Sequence, residues 1–250
     1  MDGGNSKTLE IYEDLVFSPL ALPSPPKVDA KRLVAWMTWA REEGLKRGLN
    51  RAEREYESRR GRPYPWLMAS VYYITRSHVE DSFEKEFPEL ADYARQFPVN
   101  EVGGITLLAQ RPNAAIRLHT SSDGYWGFRF HIGNGDPDGL HFCTSLQRVN
   151  GLPRTMDDWS SVLEVECKRP VQWPKGNRPY CLNSIRAAHA VDSNFRELGD
   201  RIVGMVFPRY GLNGDKLLSL LDGSTAKFRD SQLWYQPAPQ SAGRPDKLPA

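Results

Sequence analysis

The sequence predicts a β-rich core, a sandwich or barrel, buttressed by an N-terminal helical layer. Helical periodicities dominate residues 27–100, short strand-like runs fill residues 102–208, and turn residues punctuate those runs. Helices first and strands afterwards is the order of a β-core with helices packed on it. A chain of 250 residues suits one such domain, and 40% hydrophobic with 26% charged residues excludes wholesale disorder.

Residues 1–26 end in SPLALPSPP, whose prolines remove backbone donors and favour extended chain, so this segment reads as an arm outside the core, lying on the surface or leading into a helix. Residues 27–100 read as the helical layer. Asp29 is placed to cap a helix in which Leu33, Trp36, Met37, Trp39 and Ala40 recur at helical spacing. Arg51 to Arg60 reads as a second, exposed helix ended by GRPYPW, its alternating charges marking a solvated face. HVEDSFEKEFPELADYAR carries Phe83, Phe87, Leu90 and Tyr93 at intervals of three and four, the pattern of one further helix packed by one side. His78 and the pair Tyr72-Tyr73 read as helix packing.

Residues 101–210 hold the core. GITLLAQ, AAIRLHT, YWGFRFHIG, LHFCTSL, SVLEVECK, YCLNS and DRIVGMVF are candidate strands, separated by RPN, SSDG, NGDPDG, RPVQWPKGNRP and DSNFRELG. In the extension 211–235, GDKLLSLLDGS predicts a short helix that could cover the barrel mouth. Residues 236–250 are polar, Pro-rich and read as a flexible tail.

Charge and cysteine content narrow the function. Thirty-three Lys plus Arg against 31 Asp plus Glu gives a net charge of +2, without the basic field that phosphate backbones require. No apolar run is long enough to span a bilayer, and the N-terminus lacks a signal-peptide pattern, so a soluble, cytoplasmic protein is expected, with neither nucleic acid nor membrane as partner. Cys143, Cys167 and Cys181 are odd in number and form no CxxC, which predicts reduced, buried thiols rather than a disulfide framework or zinc knuckle.

The chemistry-bearing residues lie in the β-rich half. His119 ends a candidate strand before the polar turn TSSDG, and His189 in AAHAVDSN precedes the last long strand; strand ends of a barrel project into its mouth. In YWGFRFHIG, strand alternation places Arg129 and His131 on one face, opposite Phe128 and Phe130. Arg201 opens DRIVGMVF. An arginine inside a barrel needs an anion, and Arg129 with Arg201 could hold a dicarboxylate. Trp126 reads equally as pocket lining or core, and His141 as structural or rim.

The series His119-Thr120, then Arg129-Phe130-His131-Ile132-Gly133, then His189-Ala190-Val191 with Asn194 and Arg201, resembles the aspartyl/asparaginyl β-hydroxylase branch of the iron(II)/2-oxoglutarate-dependent oxygenases. In that family an HxG-type turn supplies one iron-binding histidine, an RxHxG strand follows, and an HxV segment precedes an arginine on the final strand. The resemblance spans roughly residues 102–208. It implies a double-stranded β-helix core, jelly-roll or cupin-like. It also implies an Fe(II) centre, 2-oxoglutarate as cosubstrate, O₂, and hydroxylation with release of succinate and CO₂.

Carried over residue by residue, His119 and His189 would bind the metal as the catalytic pair. Arg201 would take the distal carboxylate of 2-oxoglutarate, and Arg129 with His131 would contact it from the wall. Ser121 stands where most oxygenases of the wider class place a carboxylate; the branch itself leaves water there, and Asp123 is an alternative third ligand. Leu108 occupies the branch's serine position, with Thr106 on the same face as its substitute.

The size and lack of an appended recognition domain point to a small-molecule substrate, such as an amino acid or a natural-product intermediate in a biosynthesis, the outer pocket wall coming from the helices and the loops around Trp126 and Trp173. Halogenation, desaturation and cyclisation stay open beside hydroxylation. Two other readings compete: a cupin-like metal- or sugar-binding barrel without 2-oxoglutarate chemistry, and a non-catalytic interaction protein. Oligomeric state is not readable from the sequence.

Overall fold

The computed structural model describes residues 12–48, 51–61, 63–75, 77–112, 114, 116–119, 127–133, 140–144, 169–170, 178–183, 189–193 and 196–235. Along the chain its elements begin with β1 (Leu15–Pro19), α1 (Ala30–Lys46), α2 (Arg51–Arg60), β2 (Trp66–Tyr72), α3 (His78–Glu86) and α4 (Pro88–Ala94). Then come β3 (Val102–Gln110), β4 (Ile116–His119), β5 (Gly127–His131), β6 (Leu140–Thr144), β7 (Arg169–Pro170) and β8 (Tyr180–Leu182). The last are β9 (His189–Ser193), β10 (Ile202–Pro208), α5 (Gly214–Phe228) and β11 (Leu233–Trp234).

The strands form a seven-stranded sheet, ordered β11-β1-β8-β5-β10-β3-β2, and a four-stranded sheet, β4-β9-β6-β7. Within β3 to β10 the antiparallel pairs are nested: β3 with β10, β4 with β9, β5 with β8 and β6 with β7. Successive pairs belong to alternate sheets, so the chain winds as one long hairpin wrapped between two layers. This fold is a double-stranded β-helix.

Alternation decides what each face of the large sheet meets. Leu67, Ala69, Val71, Ile105, Leu107, Ala109, Phe128, Phe130, Ile202 and Val206 join one core cluster with Leu33, Met37, Phe83, Phe87, Tyr93 and Phe97 from the helical side. Phe130 packs edge-on against Tyr93 at 5.1 Å between ring centroids, and Phe97 lies 5.8 Å from both Phe128 and Phe130. Burying each such ring contributes about 1.5–3 kcal/mol. Beneath Phe130 the neighbouring strand carries Gly204, where a Cβ would sit 2.3 Å from the ring; the missing side chain lets the phenylalanine lie flat on the sheet.

The helices follow from their caps and stripes. Asp29 Oδ1 accepts from Lys31 N at 2.9 Å and Arg32 N at 3.2 Å, starting α1, whose Leu33, Trp36, Met37 and Ala40 are buried. Ser77 and Glu80 form a capping box at α3. The expected single helix through Phe83 and Tyr93 is two: Pro88 lacks the N–H that would continue α3, and it opens α4 as a first-turn proline instead. Along α2, Arg54, Glu55, Ser58, Arg59 and Arg60 are exposed as expected, Glu57 is half-buried beside Arg41, and Tyr56 is buried and packs on Tyr64.

Four further expectations change. The segment read as an arm outside the core supplies β1, buried along its whole length, because its run Leu15-Val16-Phe17 fills the sheet between β8 and β11. Trp66–Tyr72, read within the helical layer, is β2, so Tyr72 ends a strand and Tyr73 opens a 3₁₀ turn. His189–Ser193, read as the approach to the last long strand, is β9, and Arg169–Pro170, read as part of a turn, is β7. α5 does not sit over the barrel mouth; it packs against β1, with Leu217 and Leu221 in the helix-side core. The candidate strand SVLEVECK and the tail after Tyr235 lie outside the described residues. Among the described residues, no helix is long and apolar enough to cross a membrane.

Candidate functional site

The face of the large sheet opposite the helices is polar and yet buried. On β5, Arg129 and His131 share that face, as alternation predicts, and are only 6% and 7% exposed. Across β10 their Cα partners are Met205 and Val203, and across β8 Arg129 faces Tyr180. On β3, Thr106 pairs with Met205 and Leu108 with Val203, so both also share this face. Thr106 Oγ1 lies 3.1 Å from Ser70 Oγ of β2, forming a hydroxyl pair.

Arg201, immediately before β10, is 5% exposed. Its Nη1 donates to Gln110 Oε1 at 2.8 Å, its guanidinium lies 4.9 Å from the centre of the Trp66 ring, and the Tyr180 hydroxyl is near enough to favour its charged form. All three are neutral groups. Its Nε is buried with no hydrogen-bond partner among the described residues. Burial, with a smaller push from the positive charge of Arg129, pulls the Arg201 pKa down to about 10. Burial first, and then the Arg201 charge, hold His131 well below the ordinary histidine value, so its imidazole is neutral at pH 7. Burial raises the Tyr180 hydroxyl, against the pull of the two arginines, and keeps it protonated. The site is thus a buried, cationic wall suited to a desolvated anion.

Gly133, the last residue of the RxHxG pattern, has a reason on this wall. A Cβ there would lie 2.1 Å from the Asp200 carbonyl oxygen and 2.8 Å from Arg201 Cα. Only glycine lets the end of β5 approach the backbone that presents Arg201.

The second sheet carries the two histidines. His119 and His189 are Cα partners in the β4–β9 ladder, and on its other side His189 pairs with Thr144 of β6. His189 is buried. The ladder is irregular between Ile116 and His119, at the end of the strand where the histidine stands.

The sequence-predicted residues therefore fall into two groups: His119 with His189 on the small sheet, and Thr106, Arg129, His131 and Arg201 on one face of the large sheet. His141, on β6, has Asp192 as its Cα partner, three positions along the ladder from His189. His78 is exposed at the start of α3 and 3.2 Å from Glu43, a surface contact. Cys181 is buried as expected, which raises its thiol to about 12. Ser121, Asp123, Trp126, Cys167, Trp173 and Asn194 lie outside the described residues. Among the described residues, no group of three or more His, Cys, Asp or Glu could hold a metal ion.

Sequence reasoning missed Gln110, Tyr180, Trp66 and Ser70. Gln110 and Tyr180 sit inside runs read as strands, and nothing in the run itself marks a polar residue as facing inward. Trp66 and Ser70 belong to β2, whose alternating WLMASVY could have been read as a strand.

The chain matches no protein-family model and no curated protein. Among solved structures it is similar to HygX from Streptomyces hygroscopicus with nickel and 2-oxoglutarate bound, at 13% identity and a TM-score of 0.35, over 85% of this chain and 90% of that one. It is similar to the non-heme α-ketoglutarate-dependent carbocyclase SnoK from nogalamycin biosynthesis, at 11% identity and a TM-score of 0.38, over 82% and 84%. A Pseudomonas putida prolyl-4-hydroxylase matches at 13% identity and a TM-score of 0.34, over 81% and 98%. Likenesses of this size identify no activity. The fold assignment rests on strand order and register, and the narrower likeness to the aspartyl/asparaginyl β-hydroxylase branch rests on the residues alone.

Proposed function

We propose that this chain is an iron(II)/2-oxoglutarate-dependent oxygenase that hydroxylates a C–H bond of a small molecule. The observation that carries the reading is the pairing of His119 with His189 at one register position of the small sheet. Directly opposite residues of an antiparallel pair have Cβ atoms about 4.5–5.5 Å apart, close enough for two imidazoles to share one ion.

The residues fit the groups the reading requires. Neutral imidazoles are suitable donors for iron(II), and two of them leave coordination positions for a chelating cosubstrate and O₂. A buried guanidinium with neutral partners, and with an Nε that has no hydrogen-bond partner among the described residues, suits the far carboxylate of 2-oxoglutarate. Bound there, iron, 2-oxoglutarate and O₂ supply oxidative decarboxylation of the cosubstrate to succinate and CO₂ and the transfer of one oxygen atom to the substrate C–H bond.

The protein's own part is binding and exclusion of water. In this reading His119 and His189 hold the metal, and Arg201 anchors the far carboxylate. Arg129 adds positive charge from the adjacent strand, Thr106 offers a hydroxyl, and the neutral His131 completes the wall without adding a proton. A cupin-like metal- or sugar-binding barrel accounts less well for Arg201, which would remain buried without an anion.

Anaerobic titration of iron(II) and then 2-oxoglutarate into the protein tests the reading. A visible charge-transfer band is expected in the wild type and is lost in His119→Ala and His189→Ala. No band in the wild type, or an unchanged band in both variants, overturns it.

A further inference from the structure

Gln110 is the last residue of β3, is 1% exposed, and uses both ends of its side chain. Its Oε1 accepts from Arg201 Nη1 at 2.8 Å, and its Nε2 donates to the carbonyl of Ala114, on the chain leading into β4. Its backbone N–H also donates to the Arg201 carbonyl at 3.0 Å. One side chain thus joins the guanidinium of the large sheet to the segment that enters the His119 strand.

We propose that Gln110 is a positioning residue that sets the orientation of the Arg201 guanidinium and ties it to the chain entering β4. This rests on the reading of Arg201 as the anchor of the far carboxylate. A guanidinium is a planar fork, and its selectivity for a carboxylate depends on which edge it presents. Gln110 occupies Nη1, Trp66 covers one face, and Nε is buried without a hydrogen-bond partner among the described residues. An amide is the group the position needs: its oxygen satisfies the cation without neutralising it, and its NH₂ satisfies the Ala114 carbonyl. A carboxylate would pair with Arg201 from within and compete with an incoming anion. An apolar side chain would leave Nη1 and the carbonyl unsatisfied.

The test compares two probes in the anaerobic iron(II) titration. 2-Oxoglutarate and 2-oxobutanoate share the chelating oxoacid end, and only the first carries a far carboxylate. Wild type should prefer 2-oxoglutarate. Gln110→Met and Gln110→Glu should each weaken 2-oxoglutarate by about tenfold or more and leave 2-oxobutanoate within about twofold, collapsing the preference. Gln110→Glu pairs the buried cation and keeps the side-chain shape, so it carries the test even where Gln110→Met does not fold. Equal weakening of both oxoacids, or an undiminished preference in a folded variant, overturns the assignment of Gln110 alone. Absence of binding or of preference in the wild type overturns the reading of Arg201, and the positioning role with it.

Discussion

His119 and His189 are Cα partners in the β4–β9 ladder, although β5, β6, β7 and β8 all intervene along the chain. The nested hairpin makes this possible. Each rung joins residues far apart in sequence, and the next pair outward, β3 with β10, carries Gln110 and leads in from Arg201. A histidine pair and a buried cation are thus delivered by adjacent turns of one winding through strand register.

Removing either histidine should abolish the iron(II)/2-oxoglutarate band while sparing the fold. The hydrophobic core lies on the other side of the large sheet, among Phe83, Phe97, Phe128 and Phe130, whereas β4 and β9 belong to the small sheet. His119→Ala and His189→Ala are therefore expected to keep a cooperative thermal transition and to lose iron retained through gel filtration, measured by metal analysis.

Gly133→Ala should damage the anion site more than an ordinary glycine-to-alanine change at a strand end. Its Cβ would meet the Asp200 carbonyl at 2.1 Å, and backbone cannot rotate away as a flexible side chain can. The expected result is a lower melting temperature, by about 1–3 kcal/mol of stability, together with weaker 2-oxoglutarate binding because Arg201 moves with its backbone. Calorimetric melts and oxoacid titration of the same preparation measure both.

How much of this was legible in the sequence depends on range. Asp29 capping α1, the alternation of Arg129 and His131 against Phe128 and Phe130, and the shared face of Thr106 and Leu108 are set by neighbours within a few residues, and local periodicity reads them correctly. β1 and β2 were missed because their burial comes from partners elsewhere: Phe17 is strand-like only once Leu182 lies beside it, and Ser70 only beside Thr106. Gln110 and Tyr180 were missed for the same reason, since a polar residue in a strand declares its role only when another part of the chain brings Arg201 to Gln110 and Arg129 to Tyr180. Pro88 is the opposite case. Its effect is local, but the apolar spacing from Phe83 to Tyr93 concealed the break.

His131 should make the protein less stable in mild acid. Its folded pKa lies below the unfolded value near 6.5, because burial and the Arg201 charge oppose protonation. Below pH 6.5 the unfolded chain therefore binds a proton that the folded one does not, and stability falls as pH falls, by at most about 1.4 kcal/mol per pH unit from this group. Urea melts at pH 7.5 and 5 should show a smaller loss for His131→Asn than for the wild type; equal losses would place the acid sensitivity elsewhere.

Arg201→Met should separate stability from binding. The native guanidinium pays for burial at every pH below about 10, where it is charged in both states, and that penalty is relieved only as pH rises from about 10 towards 12.5. Methionine removes the charge at the cost of the contacts with Gln110 and Tyr180, so the melting temperature at pH 7 should be unchanged or higher. Binding of 2-oxoglutarate should weaken by about 2–5 kcal/mol, the usual cost of deleting one partner of a buried charge pair, while 2-oxobutanoate is nearly unaffected. Arg201→Lys keeps the charge but not the fork, and should fall between the two. A variant that loses stability and both oxoacids together would mark Arg201 as a structural cation and remove it from the site.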